Sequence, residues 1–164
     1  MRTGVLAVGV EDYPVRMASL RGVAGQALRF AKWAAAAGVE PSNIALATSW
    51  MDEGEHPEDL PFREYGTDLD GIRRALEHLG GLEIDIVLIY WVGHGLTDSR
   101  EGRRYRCLFT SDAVDPRASP QYVRLEEMEA FLANRYAGRS VSQVRIVDAC
   151  ATSTSKIEGT YALL

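Results

Sequence analysis

The sequence predicts an α/β protein in which a mostly parallel sheet carries helices on both faces. Short apolar segments typical of strands alternate with longer segments typical of helices along the chain, and such alternation favours parallel strand pairing. Several strand candidates are apolar runs without polar breaks, as expected for strands buried on both faces. The chain has 164 residues, of which 46% are hydrophobic and 25% charged, and we expect residues 1–164 to form one soluble domain with its own core.

The first part of the chain predicts a strand, a long helix and a second strand. Residues 5–10 form an unbroken apolar run, which indicates the first strand. A helix is expected from about residue 22 to residue 37, because alanine, leucine and aromatic residues dominate there, and Gly38 suits its C-terminal cap. Residues 44–48 are the second strand candidate. Residues 51–66 are acidic and contain two prolines, so they indicate a loop.

The middle of the chain predicts a second helix and the strongest strand. Thr67 suits the N-cap of a helix whose apolar residues recur at helical spacing until Gly80 and Gly81 end it. Residues 84–92 are rich in β-branched and aromatic side chains and form the clearest strand candidate. Residues 98–106 are polar and rich in arginine, which indicates a loop, and residues 105–110 indicate a short extra strand.

The last part predicts one more helix and a final strand. Leu125, Met128, Phe131 and Leu132 mark an amphipathic helix that Gly138 closes. Residues 144–147 form the final strand candidate. The predicted order is therefore β-α-β-α-β-(β)-α-β.

Composition excludes several classes of protein. The formal net charge of −5 gives no basic footprint of the kind that nucleic-acid binding requires, so no nucleic-acid partner is expected. The longest apolar run, residues 86–92, is far shorter than the roughly 20 residues of a membrane helix. The apolar N-terminal stretch is too short for a signal peptide. We therefore expect no membrane partner. Two cysteines do not make a disulfide framework in a domain of this size, so we expect a reducing, cytoplasmic location.

Two reactive residues follow two of the predicted strands. His94 follows the strand candidate at residues 84–92, and Cys150 follows the final strand candidate. Functional sites in open α/β sheets form at the carboxyl ends of strands, and adjacent strands lie about 4.8 Å apart. Gly93 and Gly95 flank the histidine and allow the backbone to turn sharply there. Side chains at two neighbouring strand ends can therefore share one catalytic site.

A cysteine beside a histidine is the arrangement that nucleophilic catalysis requires. A free thiol has a pKa of about 8.5, so an imidazole must accept its proton or stabilise the thiolate near neutral pH. The same imidazole can then protonate a leaving amine. Taken alone, Cys150 would indicate packing and His94 an ordinary loop residue. Their joint occurrence at two strand ends favours catalysis.

Four segments carry a resemblance to the caspase and metacaspase family of cysteine peptidases. Residues 89–95 (IYWVGHG) resemble the family's hydrophobic strand with its His-Gly, and residues 144–150 (VRIVDAC) resemble its second catalytic strand. The histidine of caspase-type enzymes precedes the cysteine by about 50 residues, as here. The opening strand with residues 20–23 (LRGV), and residues 108–112 (LFTSD), resemble two further family segments. The resemblance covers nearly the whole chain in the family's order.

This resemblance implies a caspase-haemoglobinase fold and a cysteine endopeptidase that cuts protein or peptide substrates through an acyl-enzyme. Cys150 would be the nucleophile and His94 the acid–base group, and the backbone N–H groups of Gly95 and Cys150 would form the oxyanion hole. No metal or other cofactor takes part in this chemistry. Prokaryotic members of the family often act as switched effectors in immunity or cell death. The alternative is a caspase-like interaction module without activity, and retention of both His94 and Cys150 argues against it.

Asp148 and Gln26 are the candidate substrate-binding residues. Caspases carry glutamine two residues before the cysteine, whereas this chain has Asp148, as metacaspases and other arginine- or lysine-directed relatives do. An acid there would favour a basic residue before the cut. The alternative is that Asp148 caps a turn. Gln26 stands where metacaspases carry an aspartate of the same pocket, which weakens the case for basic specificity.

The C-terminal part of the family fold is the other open question. The sequence ends at Leu164, soon after Cys150, whereas the family fold continues with the strands and helix of a small subunit. We therefore expect a small-subunit partner chain that completes the fold. Whether the sequence is a fragment or a processed large subunit stays open, and processing after Leu164 would indicate an apolar specificity instead.

Overall fold

A computed structural model describes residues 1–14, 18–52, 56–100, 103–113, 121–149 and 153–154 of the chain. Within this part, the predicted helices and strands occur in the predicted order, and further strands are added to them. In chain order they are β1 (Thr3–Val10), α1 (Val23–Ala36), β2 (Ile44–Ser49), β3 (Arg63–Tyr65), α2 (Leu69–Gly80), β4 (Ile86–Gly93), β5 (Gly95–Arg100), β6 (Arg103–Phe109), β7 (Tyr122–Arg124), α3 (Leu125–Arg135), β8 (Ser142–Ala149) and β9 (Ser153–Thr154).

The main sheet is parallel and lies between two helical layers, which confirms the predicted α/β class. Among the described residues it has five strands in the order β3-β2-β1-β4-β8. Alternate side chains of β1 point to opposite faces. Val5 and Ala7 pack with α1 on one face, and Leu6 and Val8 pack with α2 and α3 on the other. Because both faces of β1 are covered, its sequence is continuously apolar.

The prediction of a loop at residues 98–106 is wrong, because residues 98–100 and 103–106 belong to a second sheet. β5 and β6 pair antiparallel from Gly95 opposite Leu108 to Arg100 opposite Arg103, and β7 and β9 flank them. The pairing buries Asp98 completely, with Arg124 of β7 at 3.7 Å from its carboxylate. A charge inside a strand is stable when a partner of opposite charge meets it. That partner comes from a later segment, so local sequence does not reveal it.

Three smaller features also differ from prediction. The N-cap of α2 is Asp68, whose carboxylate accepts a hydrogen bond from the Gly71 N–H at 2.6 Å, and not Thr67, which is buried. The predicted loop at residues 51–66 contains β3, a short polar strand held by backbone pairing with β2. The strand β7 was not predicted. Short edge strands without an apolar pattern carry little sequence signal.

Glu11 joins the end of β1 to the start of α1. The N-cap of α1 is Gly22, which has no side chain to satisfy the first N–H groups of the helix. The buried Glu11 carboxylate instead accepts hydrogen bonds from the N–H groups of Gly22 at 2.8 Å and Ala24 at 3.0 Å, and from Met51 N–H at 3.3 Å. A negative charge at a helix N-terminus also suits the helix dipole. This contact fixes α1 beside the carboxyl end of β1.

β8 forms one edge of the main sheet, and part of it is not covered by a helix of the described chain. On the α1 face, Val144 and Ile146 are 45% and 46% exposed, next to Leu88 and Tyr90 of β4 in the strand register. Large aliphatic side chains in a strand are normally covered.

Among the described helices, none combines the length and apolar content of a segment that spans a bilayer.

Candidate active site

The candidate site lies at the carboxyl ends of β4 and β8. These strands are parallel neighbours, and Gly93 at the end of β4 pairs with Ala149 at the end of β8. His94 follows Gly93 directly. Cys150, the predicted nucleophile, lies outside the described residues. The structure therefore describes the histidine half of the predicted pair and the strand that leads to the cysteine.

The His94 imidazole is held by a backbone carbonyl. Its Nε2 lies 2.6 Å from the carbonyl oxygen of Ala18. Because a carbonyl only accepts hydrogen bonds, Nε2 must carry the hydrogen. In the neutral ring, Nδ1 is then the nitrogen that accepts a proton. The side chain is half-buried, and this partner orients the imidazole.

Tyr13 fixes the backbone and the ring of His94 together. The His94 N–H donates to the Tyr13 hydroxyl oxygen at 2.8 Å, and the two rings are 4.8 Å apart at an angle of 52°. Burial raises the pKa of the Tyr13 phenol, which therefore stays neutral. A side chain at Gly93 would put its Cβ 2.8 Å from the Tyr13 oxygen. Glycine at this position is what allows the tyrosine to approach.

The Gly95 N–H points away from β6, toward the side of β5 on which β9 pairs. The His94 carbonyl oxygen accepts a hydrogen bond from Phe109 N–H of β6 at 3.0 Å. The described peptide bonds are trans, and the C=O and N–H of one trans peptide unit point in opposite directions. The N–H that shares this unit belongs to Gly95. It is directed away from β6 and takes no part in the β5–β6 pairing.

Asp148 and Gln26 both lie near Tyr90, on the α1 face of the sheet. The Tyr90 hydroxyl donates to Gln26 Oε1 at 3.3 Å. Burial, and then the negative charge of Asp148, raise the pKa of Tyr90. Asp148 is exposed and lies inside β8 opposite Val92, and not in a turn. The two candidate substrate-binding residues thus border one region beside the strand end that leads to Cys150.

The other cysteine, Cys107, is a packing residue. Cys107 is completely buried, and burial together with the nearby Asp98 carboxylate raises the pKa of its thiol to about 12. A thiol with this pKa is protonated at neutral pH and is a poor nucleophile.

Sequence reasoning missed the two partners of His94. Ala18 contributes only a backbone carbonyl, which leaves no mark in the type of residue. Tyr13 follows the end of β1, and its position at a strand end was the only signal that could have indicated a role.

Neither comparison with known proteins nor a search for grouped metal ligands assigns a function to this site. No protein-family model matches the chain, and no curated protein sequence matches it. Within the described part of the chain, no three histidine, cysteine, aspartate or glutamate side chains are grouped as metal ligands. The geometry around His94 is therefore the basis on which function must be argued.

Proposed function

We propose that the chain is the large-subunit part of a caspase-like cysteine endopeptidase, with a caspase-haemoglobinase fold, His94 as acid–base group and Cys150 as nucleophile. The observation that carries the proposal is the register of β4 and β8, in which Gly93 lies opposite Ala149. The next residues along these two parallel strands are His94 and Cys150. The carbonyl that holds His94 Nε2 supports the same role, because an acid–base imidazole needs an orienting partner.

The chemistry follows from these positions. Nδ1 of His94 takes the thiol proton, and the Cys150 sulfur attacks the carbonyl carbon of the scissile peptide. The N–H groups of Gly95 and Cys150 stabilise the oxyanion that forms. The C–N bond then breaks, and the imidazolium gives its proton to the leaving amine. A water molecule, deprotonated by His94, hydrolyses the resulting thioester and releases the acid.

The exposed edge of β8 supports the proposal of a small-subunit partner. An edge strand offers unpaired N–H and C=O groups to an added strand, and Val144 and Ile146 offer an uncovered apolar face beside it. A partner segment with one strand and one helix would satisfy both. The partner we propose for this edge is the small subunit. The active enzyme would then consist of this chain together with the small subunit.

Replacing both Val144 and Ile146 with lysine should prevent that association. Two charges on the covered face would have to be desolvated, which costs several kcal/mol. We expect the double variant to lose small-subunit binding in native mass spectrometry and to lose peptidase activity with it. Met51→Lys is the matched control, because Met51 is 43% exposed outside this face. An active, fully assembled double variant would contradict the role of the β8 face.

Asp148 should set a preference for arginine or lysine before the cut. A charge-assisted hydrogen bond contributes about 1.5–3 kcal/mol, so Asp148→Asn should lower kcat/KM for basic substrates by about 10- to 100-fold. A fluorogenic peptide library varied at that residue measures the preference. Glu58→Gln, which removes an exposed acid from a loop, should leave the preference unchanged. A leucine preference that Asp148→Asn does not alter would show that Asp148 does not line the pocket.

A further inference from the structure

We propose that Arg106 is a positioning residue for the peptide unit that joins Ala149 to Cys150. The guanidinium Nη1 donates to the Ala149 carbonyl oxygen at 3.4 Å. Arg106 lies on β6 of the second sheet, whereas Ala149 is the last residue of β8 in the main sheet. One side chain thus connects the two sheets at the strand end that leads to the nucleophile. The inference rests on the proposed function, because it assigns a role within the same oxyanion hole.

The connection acts on the oxyanion hole through covalent geometry. The Ala149 carbonyl and the N–H of residue 150 belong to one planar peptide unit. Holding the oxygen therefore restricts the direction of the Cys150 N–H, which the family resemblance assigns as an oxyanion donor. A cation on the oxygen also draws electron density from the unit and makes its N–H a stronger donor. Arg106 would stabilise the transition state without touching the substrate.

The surroundings of Arg106 favour this role over that of a solvated surface charge. Arg106 is half-buried, and its backbone N–H lies 3.4 Å from a carboxylate oxygen of Glu126. Its pairing partner Thr97 also pairs with Ser153, so the row of strands continues from Arg106 to β9, just beyond the cysteine in the chain. Arg104 lies two residues earlier on the same face of β6 but is exposed. It therefore provides a matched arginine on the same strand.

The test compares two reactions of the same thiol in the complete protein. Peptide hydrolysis and reversible inhibition by a peptide aldehyde both create an oxyanion, whereas alkylation by iodoacetamide does not. Removing an oxyanion donor outright lowers kcat by about 10²- to 10³-fold, and loss of its positioning should cost about 10-fold or more. For Arg106→Gln we expect this fall in kcat with KM nearly unchanged, and a parallel rise in the aldehyde inhibition constant. Alkylation of Cys150, followed by peptide mass spectrometry, should stay within about three-fold.

Two further variants complete the experiment. Arg106→Lys keeps a cation near the Ala149 oxygen and should recover part of the lost kcat, whereas Arg104→Gln should behave as wild type. If Arg106→Gln does not fold, as judged by circular dichroism, Arg106→Leu, which removes the donor but keeps an aliphatic side chain for packing, replaces it in the same assays. Unchanged kcat and unchanged aldehyde inhibition in that variant would then overturn the proposal.

The outcomes also separate this inference from the proposed function. An active wild type with an equally active Arg106→Gln would overturn the role of Arg106 alone. Equal losses of hydrolysis and alkylation in Arg106→Gln would also overturn it, since they would indicate general damage to the site. A wild type that cleaves no peptide, with any activator tried, would overturn both.

Discussion

Cys150→Ala should abolish peptide cleavage. Without the thiol no acyl-enzyme forms, and we expect kcat/KM to fall by about 10⁴-fold or more, as expected for removal of a catalytic nucleophile. The measurement uses the complete protein, or this chain with its small subunit, and the fluorogenic peptide library described above. A peptide probe with a thiol-reactive end group should label wild type at Cys150 and leave the variant unlabelled.

Cys107→Ala is the control for this experiment. Its thiol is completely buried, and its pKa of about 12 keeps it protonated, so the variant should keep activity within a few-fold. Cleavage that survives in Cys150→Ala would refute the proposed nucleophile. No cleavage by wild type, with any activator tried, would favour the caspase-like interaction module over the enzyme.

His94→Ala should produce the second largest loss. General acid–base catalysis contributes about 10²- to 10⁴-fold, and here one imidazole serves both the attack and the departure of the amine. We therefore expect kcat to fall by about 10³-fold or more, with a smaller change in KM. His56→Ala is the matched control. His56 is an exposed histidine in the loop before β3, and its Nε2 lies 2.8 Å from a carboxylate oxygen of Glu64.

The double variant His94→Ala/Cys150→Ala tests whether the two residues act as one unit. Residues of one catalytic unit show strongly non-additive effects, so the double variant should be no worse than Cys150→Ala alone. If the activity losses of the two single variants multiply in the double variant, His94 and Cys150 contribute independently, and the proposed pair would be wrong.

The parallel sheet and its helical layers followed from local sequence patterns. β1 is buried on both faces, and its unbroken apolar run reflects that burial directly, whereas β4 is buried on one face and partly buried on the other. The helices α1 and α2 were predicted because helical spacing and terminal glycines are local properties. The position of His94 at a strand end was predicted in the same way, because the apolar run that precedes it is also a local property of the sequence.

The second sheet and the partners of His94 were decided by tertiary structure. Asp98 is accommodated inside β5 because the Arg124 guanidinium of β7 lies beside its carboxylate. Local sequence does not show this contact, so the polar segment by itself predicts a loop. Tyr13 and Ala18 hold His94 from 81 and 76 residues earlier in the chain. A contact across such a distance depends on how sheets and loops pack, and a backbone carbonyl carries no residue type. The sequence alone therefore identifies the reactive histidine, while only the packed structure reveals which groups orient it.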